Sequence, residues 1–81
     1  MIKVINEQIG VLVAFQKDGT IRPVLFSWQG RKYQDLEVAS TWTVAEGEFV
    51  KVYFNLTSGT TTYEVFFYTK HLHWILSKIH T

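Results

Sequence analysis

The sequence predicts an all-β fold: one small antiparallel meander of about six strands, bent into a curled sheet or a partly open barrel. Three observations carry this. Valine, isoleucine, threonine and aromatic residues dominate almost every segment, as suits a pleated and half-buried surface. Turn dipeptides recur at short, even intervals, at Asp18-Gly19, Gln29-Gly30, Glu46-Gly47 and Ser58-Gly59. Between them, apolar residues alternate with a period of two.

The elements follow in order. A first strand is expected over Gly10–Gln16 and ends at Asp18-Gly19. A second, Ile21–Trp28, places Val24, Phe26 and Trp28 on one side; its Pro23 lacks an N–H and so belongs near a strand start or on an edge. The third, Arg31–Val44, does not hold one register. Leu36, Val38, Ser40, Trp42 and Val44 alternate cleanly while Tyr33 has the opposite parity, so a bulge near Gln34–Asp35 is expected to bend this strand across two sheet halves. The fourth, Glu48–Thr57, presents Val50, Val52, Phe54 and Leu56 to the core, and a fifth covers Thr60–Thr69. The last, His71–Ile79, puts Leu72, Trp74 and Leu76 on one face. Leu72, Ile75, Leu76 and Ile79 also fit a helical stripe, which leaves a short C-terminal helix as the alternative.

Eighty-one residues make a single domain, 1–81, with no repeat, linker or low-complexity tract. A core this small needs large side chains, and 16% of the residues are aromatic. The chain has no cysteine, so disulfides and thiolate zinc sites are excluded and a cytoplasmic location is expected. Lys3, Asn6 and Glu7 interrupt the first ten residues before an export-signal core forms. No apolar run approaches the roughly 20 residues of a membrane helix, so no membrane association is expected. Net charge is +1 with acids and bases interspersed, which gives no global field toward a polyanion.

No catalytic residue, cofactor or metal ligand set emerges. His71 and His73 would share a strand face, but two imidazoles without a third ligand read as solvent-side histidines. Ser27, Ser40, Ser58 and Ser77 lie outside any nucleophile motif. Asp35 and Glu37 would share an exposed face as solvated acids, and the stretch WQGRKY lacks the glycines and following helix of a phosphate loop. The chain is therefore expected not to be an enzyme.

Surfaces remain. Arg22, Arg31, Lys32 and Lys51, with Tyr33 and Tyr53 nearby, could gather into a basic and aromatic patch for single-stranded nucleic acid. The competing reading is that cations near hairpin tips keep sheet edges soluble. The leading expectation is a non-catalytic interaction module that binds a protein partner or itself; single-stranded nucleic-acid binding through Arg22, Arg31, Lys32, Tyr33 and Lys51 is the alternative.

The segment PVLFSWQGRKY follows P-x-x-F-x-W-x-G-R-x-Y, with Trp42, Tyr63-Glu64-Val65 and Trp74-Ile75-Leu76 after it in order. This series, spanning about residues 22–79, resembles a small bacterial domain family of unknown function, often encoded near Y-family, error-prone DNA polymerases. The resemblance implies an accessory or regulatory part in DNA metabolism. Members of that family carry more arginine around this segment, where this chain has Gln29, Gln34, Asp35 and Glu37; if members bind DNA through those arginines, the resemblance implies that the activity is lost here.

Overall fold

A computed structural model describes residues 1–81. It contains seven antiparallel strands and no helix: β1 Ile2–Phe15, β2 Ile21–Trp28, β3 Arg31–Tyr33, β4 Glu37–Glu46, β5 Phe49–Ser58, β6 Thr61–Tyr68 and β7 His73–His80. They form one sheet in the order β3-β2-β1-β7-β6-β5-β4. The long β1 joins its two halves: Ile2–Ile9 pairs with β7, and Gly10–Phe15 pairs with β2.

The hairpins follow the turn chemistry. Gln29 and Gly30 both take positive φ, 51° and 75°, in the two-residue loop between the paired Trp28 and Arg31, as a type I′ turn requires. The next two tight loops sit one residue later than their dipeptides suggest. They are Gly47-Glu48 and Gly59-Thr60, each with positive φ at its glycine. The loop before Ile21 is held by Asp18, whose Oδ1 accepts from the Thr20 N–H at 3.0 Å and the Thr20 hydroxyl at 2.6 Å. Those bonds favour the ionised form and lower the Asp18 pKa.

Chain connectivity requires the sheet to curl. Only Gln34–Leu36 separates β3 on one edge from β4 on the other, and four Cα steps reach about 15 Å. Seven strands lying flat would separate their edges by about 29 Å. Register shifts at Val4/Glu7, Leu12/Val13, Val38/Ser40 and Glu64/Val65 supply the bends. The sheet curls without closing into a barrel.

The concave side holds the core of Ile9, Phe26, Leu36, Phe54, Leu56, Val65 and Leu76. Aromatic contacts tie the halves together across it. Phe26 of β2 meets Tyr63 of β6 edge-on at 5.2 Å and stacks on Tyr33 at 4.8 Å, and Tyr33 meets Tyr63 at 5.6 Å.

Several sequence expectations change. There are seven strands, because the third breaks in two: Asp35 takes φ 57° and interrupts the ladder where a bulge was expected. The first strand begins at Ile2, eight residues early, because β7 pairs with its polar-rich first half. The last segment is the strand expected, though it begins at His73 rather than His71, and the helical alternative falls away. Leu72 leaves the core set, since it occupies the turn at φ 57° and is 73% exposed. Val24 falls at the β2 bulge opposite Leu12/Val13, which brings Pro23 rather than Val24 to full burial. Pro23 lies near the strand start, where β2 has no pairing to β3.

Candidate interaction surfaces

The basic residues divide between two places. Arg31, Lys32 and Tyr33 are the whole of β3, paired with Trp28, Ser27 and Phe26 of β2. Tyr33 points inward onto Phe26, while the Arg31 guanidinium lies 5.7 Å from the Tyr33 ring centre and Lys32 stands exposed between them. Arg22 is opposite Ala14, six positions along β2 from Trp28, or about 20 Å at strand rise. Lys51 belongs to the other half, on the convex face of β5. Its ammonium is 2.9 Å from Glu46 Oε2 and 5.2 and 5.3 Å from the Phe66 and Tyr68 ring centres. The hydrogen bond to Glu46 is the main reason that the Lys51 pKa is raised. Of the five residues singled out in the sequence, the structure brings together only Arg31, Lys32 and Tyr33.

The convex face of β4–β7 carries an aromatic row that alternation alone does not single out. Trp42 stacks on Tyr53 at 5.1 Å with 5° between the planes, and Tyr53 meets Phe66 at 4.9 Å. Register places Ile75 beside Phe66, so an apolar ladder crosses four strands at one level. Its inner rungs are covered and its outer end is open: Phe66 is buried, whereas Trp42 and Val44 are 37% and 42% exposed. Thr41 fixes this end by donating its hydroxyl to the Tyr53 carbonyl at 2.8 Å. The signal was present in the sequence as Trp42, Tyr53 and Phe66, but only the register shows that they align.

Toward the chain ends the same face turns polar. A shallow hollow of about 190 Å³ is lined by Ile2, Asn55, Thr62, Glu64, Lys78 and His80. Glu64 and Lys78 occupy paired positions, as do Thr62 and His80. An acid and a base on facing positions give this end no single sign of charge.

His71 lies in the β6–β7 turn and packs edge-on against Tyr68 at 5.5 Å; His73 opens β7, with its ring 5.4 Å from that of His71. No group of three or more histidine, aspartate or glutamate side chains is assembled for a metal, and no helix is long and apolar enough to cross a membrane. No protein-family model matches the chain, and no curated protein or solved structure matches it significantly.

Proposed function

We propose that this chain is a non-catalytic interaction module whose contact surface is the open end of the convex ladder, centred on Trp42. One observation carries the reading. A large aromatic ring stacked rigidly on Tyr53, with Val44 exposed beside it, is an anchor that costs little side-chain entropy to dock. The surroundings suit a protein surface better than a polyanion, since the nearest cation, Lys51, is engaged by Glu46. The test is affinity capture from cell lysate and concentration-dependent light scattering, with wild type and Trp42→Ser in parallel. Self-association or a retained protein, lost in Trp42→Ser, is expected. A strictly monomeric protein that retains nothing overturns the proposal.

A second reading, single-stranded nucleic-acid binding with a place in DNA metabolism, rests on the β2–β3 hairpin and on the family resemblance of its sequence. There Arg31 covers the Tyr33 ring and Lys32 is exposed alongside. Binding of a labelled oligonucleotide through Arg31 and Lys32 would weaken with salt at a log–log slope of about −1.4, and Arg31→Ala would reduce that slope by about 0.7. Tyr33→Ala is a poor probe because it also removes core packing on Phe26. Absence of binding at low salt removes this reading.

A further inference from the structure

We propose that the free edge of β4 is the seam of a two-fold homodimer, with the β4 strands of two copies paired antiparallel about Thr43. This rests on the interaction-module reading and names the partner as a second copy of this chain.

The starting observation is how differently the sheet ends on its two sides. The β3 edge is three residues long and carries Arg31 and Lys32, and short charged edges resist pairing. The β4 edge is ten residues long, without lysine, arginine or proline, and every one of its residues is exposed. Only β5 holds it. Six consecutive residues, Ser40–Ala45, carry no charge, and the glutamate that follows is neutralised by Lys51. Such an edge is a template for another strand.

The backbone fixes which groups are free. A two-residue loop makes Glu46 and Phe49 a hydrogen-bonded pair, so Val44, Trp42 and Ser40 also turn their N–H and C=O toward β5. Thr41, Thr43 and Ala45 turn theirs outward. The register shift between Val38 and Ser40 ends the straight run at Ser40, which leaves Ser40–Glu46 as the usable ladder. Its midpoint is Thr43.

An antiparallel edge is its own complement under a two-fold axis. With the axis at Thr43, Thr41 faces Ala45 of the second copy and Thr43 faces its counterpart, giving about six backbone hydrogen bonds. On the convex side Trp42 meets Val44 of the second copy, and the reverse. These are the strand's two most exposed large apolar residues after the bulge, and aromatic–β-branched cross-strand pairs are favourable. Glu46 faces Ser40, so no glutamate opposes a glutamate. Each tryptophan then gains a neighbour on the side opposite Tyr53, and the two ladders join.

Sedimentation equilibrium of the full chain tests this. Wild type should show a reversible monomer–dimer equilibrium. Thr43→Pro deletes an N–H that β5 does not use, so the far-ultraviolet circular dichroism should stay unchanged while the dimer dissociation constant rises about tenfold or more. Because the chain has no cysteine, Thr43→Cys should form an intermolecular disulfide on mild oxidation, its Cα pair lying about 5.5 Å apart, while Glu37→Cys should not. A wild type that stays monomeric at every concentration overturns the seam; capture of another protein through Trp42 would still uphold the module. Unchanged dimerisation in Thr43→Pro also overturns the seam and leaves self-association through another face.

Discussion

Gly10 is where β1 changes partners, from Trp74 of β7 at Ile9 to Ser27 of β2. A Cβ at Gly10 would lie 2.9 Å from Ser27 Oγ on the neighbouring strand, so a side chain there requires the serine hydroxyl to move. Gly10→Ala is expected to cost about 1 kcal/mol in urea denaturation, with most of it recovered in Gly10→Ala/Ser27→Ala. Tyr63 gives a second residue-scale expectation. Burial, and then the neighbouring Tyr33 phenol, raise its pKa above the usual 10.0, partly offset by Arg31. Above that value the folded chain holds a proton that the unfolded chain releases, so stability is full below about pH 10 and falls as pH rises toward the folded value. Tyr63→Phe should flatten this alkaline decline, as read from denaturation at a series of pH values near and above 10. The inward aim of Phe26, Phe54, Leu56 and Leu76 was legible from alternation alone, whereas the crowding at Gly10 was not, because it depends on which strand lies alongside.

Among the elements, the hairpins are the most readable. Gln29-Gly30 announces its turn because a type I′ loop needs two positive φ values that few residue pairs tolerate. The β6–β7 turn hides itself because the residue at its left-handed position, φ 57°, is Leu72, which reads as one more apolar strand position. A branched side chain held in that conformation and 73% exposed loses little by removal, so Leu72→Gly is expected to raise stability by about 0.5–1 kcal/mol in thermal unfolding. β4 teaches a different lesson. Val38, Trp42 and Val44 alternate in sequence as a core strand does, yet the shift between Val38 and Ser40 turns Trp42 and Val44 to the convex face while Val38 stays opposite Leu56, and a period says nothing about whether a face is covered. Two further elements diverge for local reasons: the positive φ of Asp35 cuts the third strand, and the shift between Val4 and Glu7, with Asn6 at φ 54°, erases the alternation that would have marked the start of β1.

At the scale of the whole molecule, the all-β class was evident, but the strand order was not. A meander places sequence neighbours side by side, and β1–β2–β3 and β4–β5–β6–β7 obey this. The joint between them does not, because β1 and β7 lie at opposite ends of the chain, and no local pattern encodes such a pairing. That joint brings the chain ends together: the Met1 ammonium donates to the Thr81 carbonyl at 2.8 Å, and the Thr81 N–H to the Met1 carbonyl at 3.0 Å. Both ends therefore sit at the same end of one central antiparallel pair. A pulling force applied at Met1 and Thr81 would load that ladder as a zipper, one rung of about 1 kcal/mol at a time, rather than shearing all rungs together. The domain should yield mechanically from the middle of its sheet outward, with β1 peeling from β7 before either half loses its hairpins.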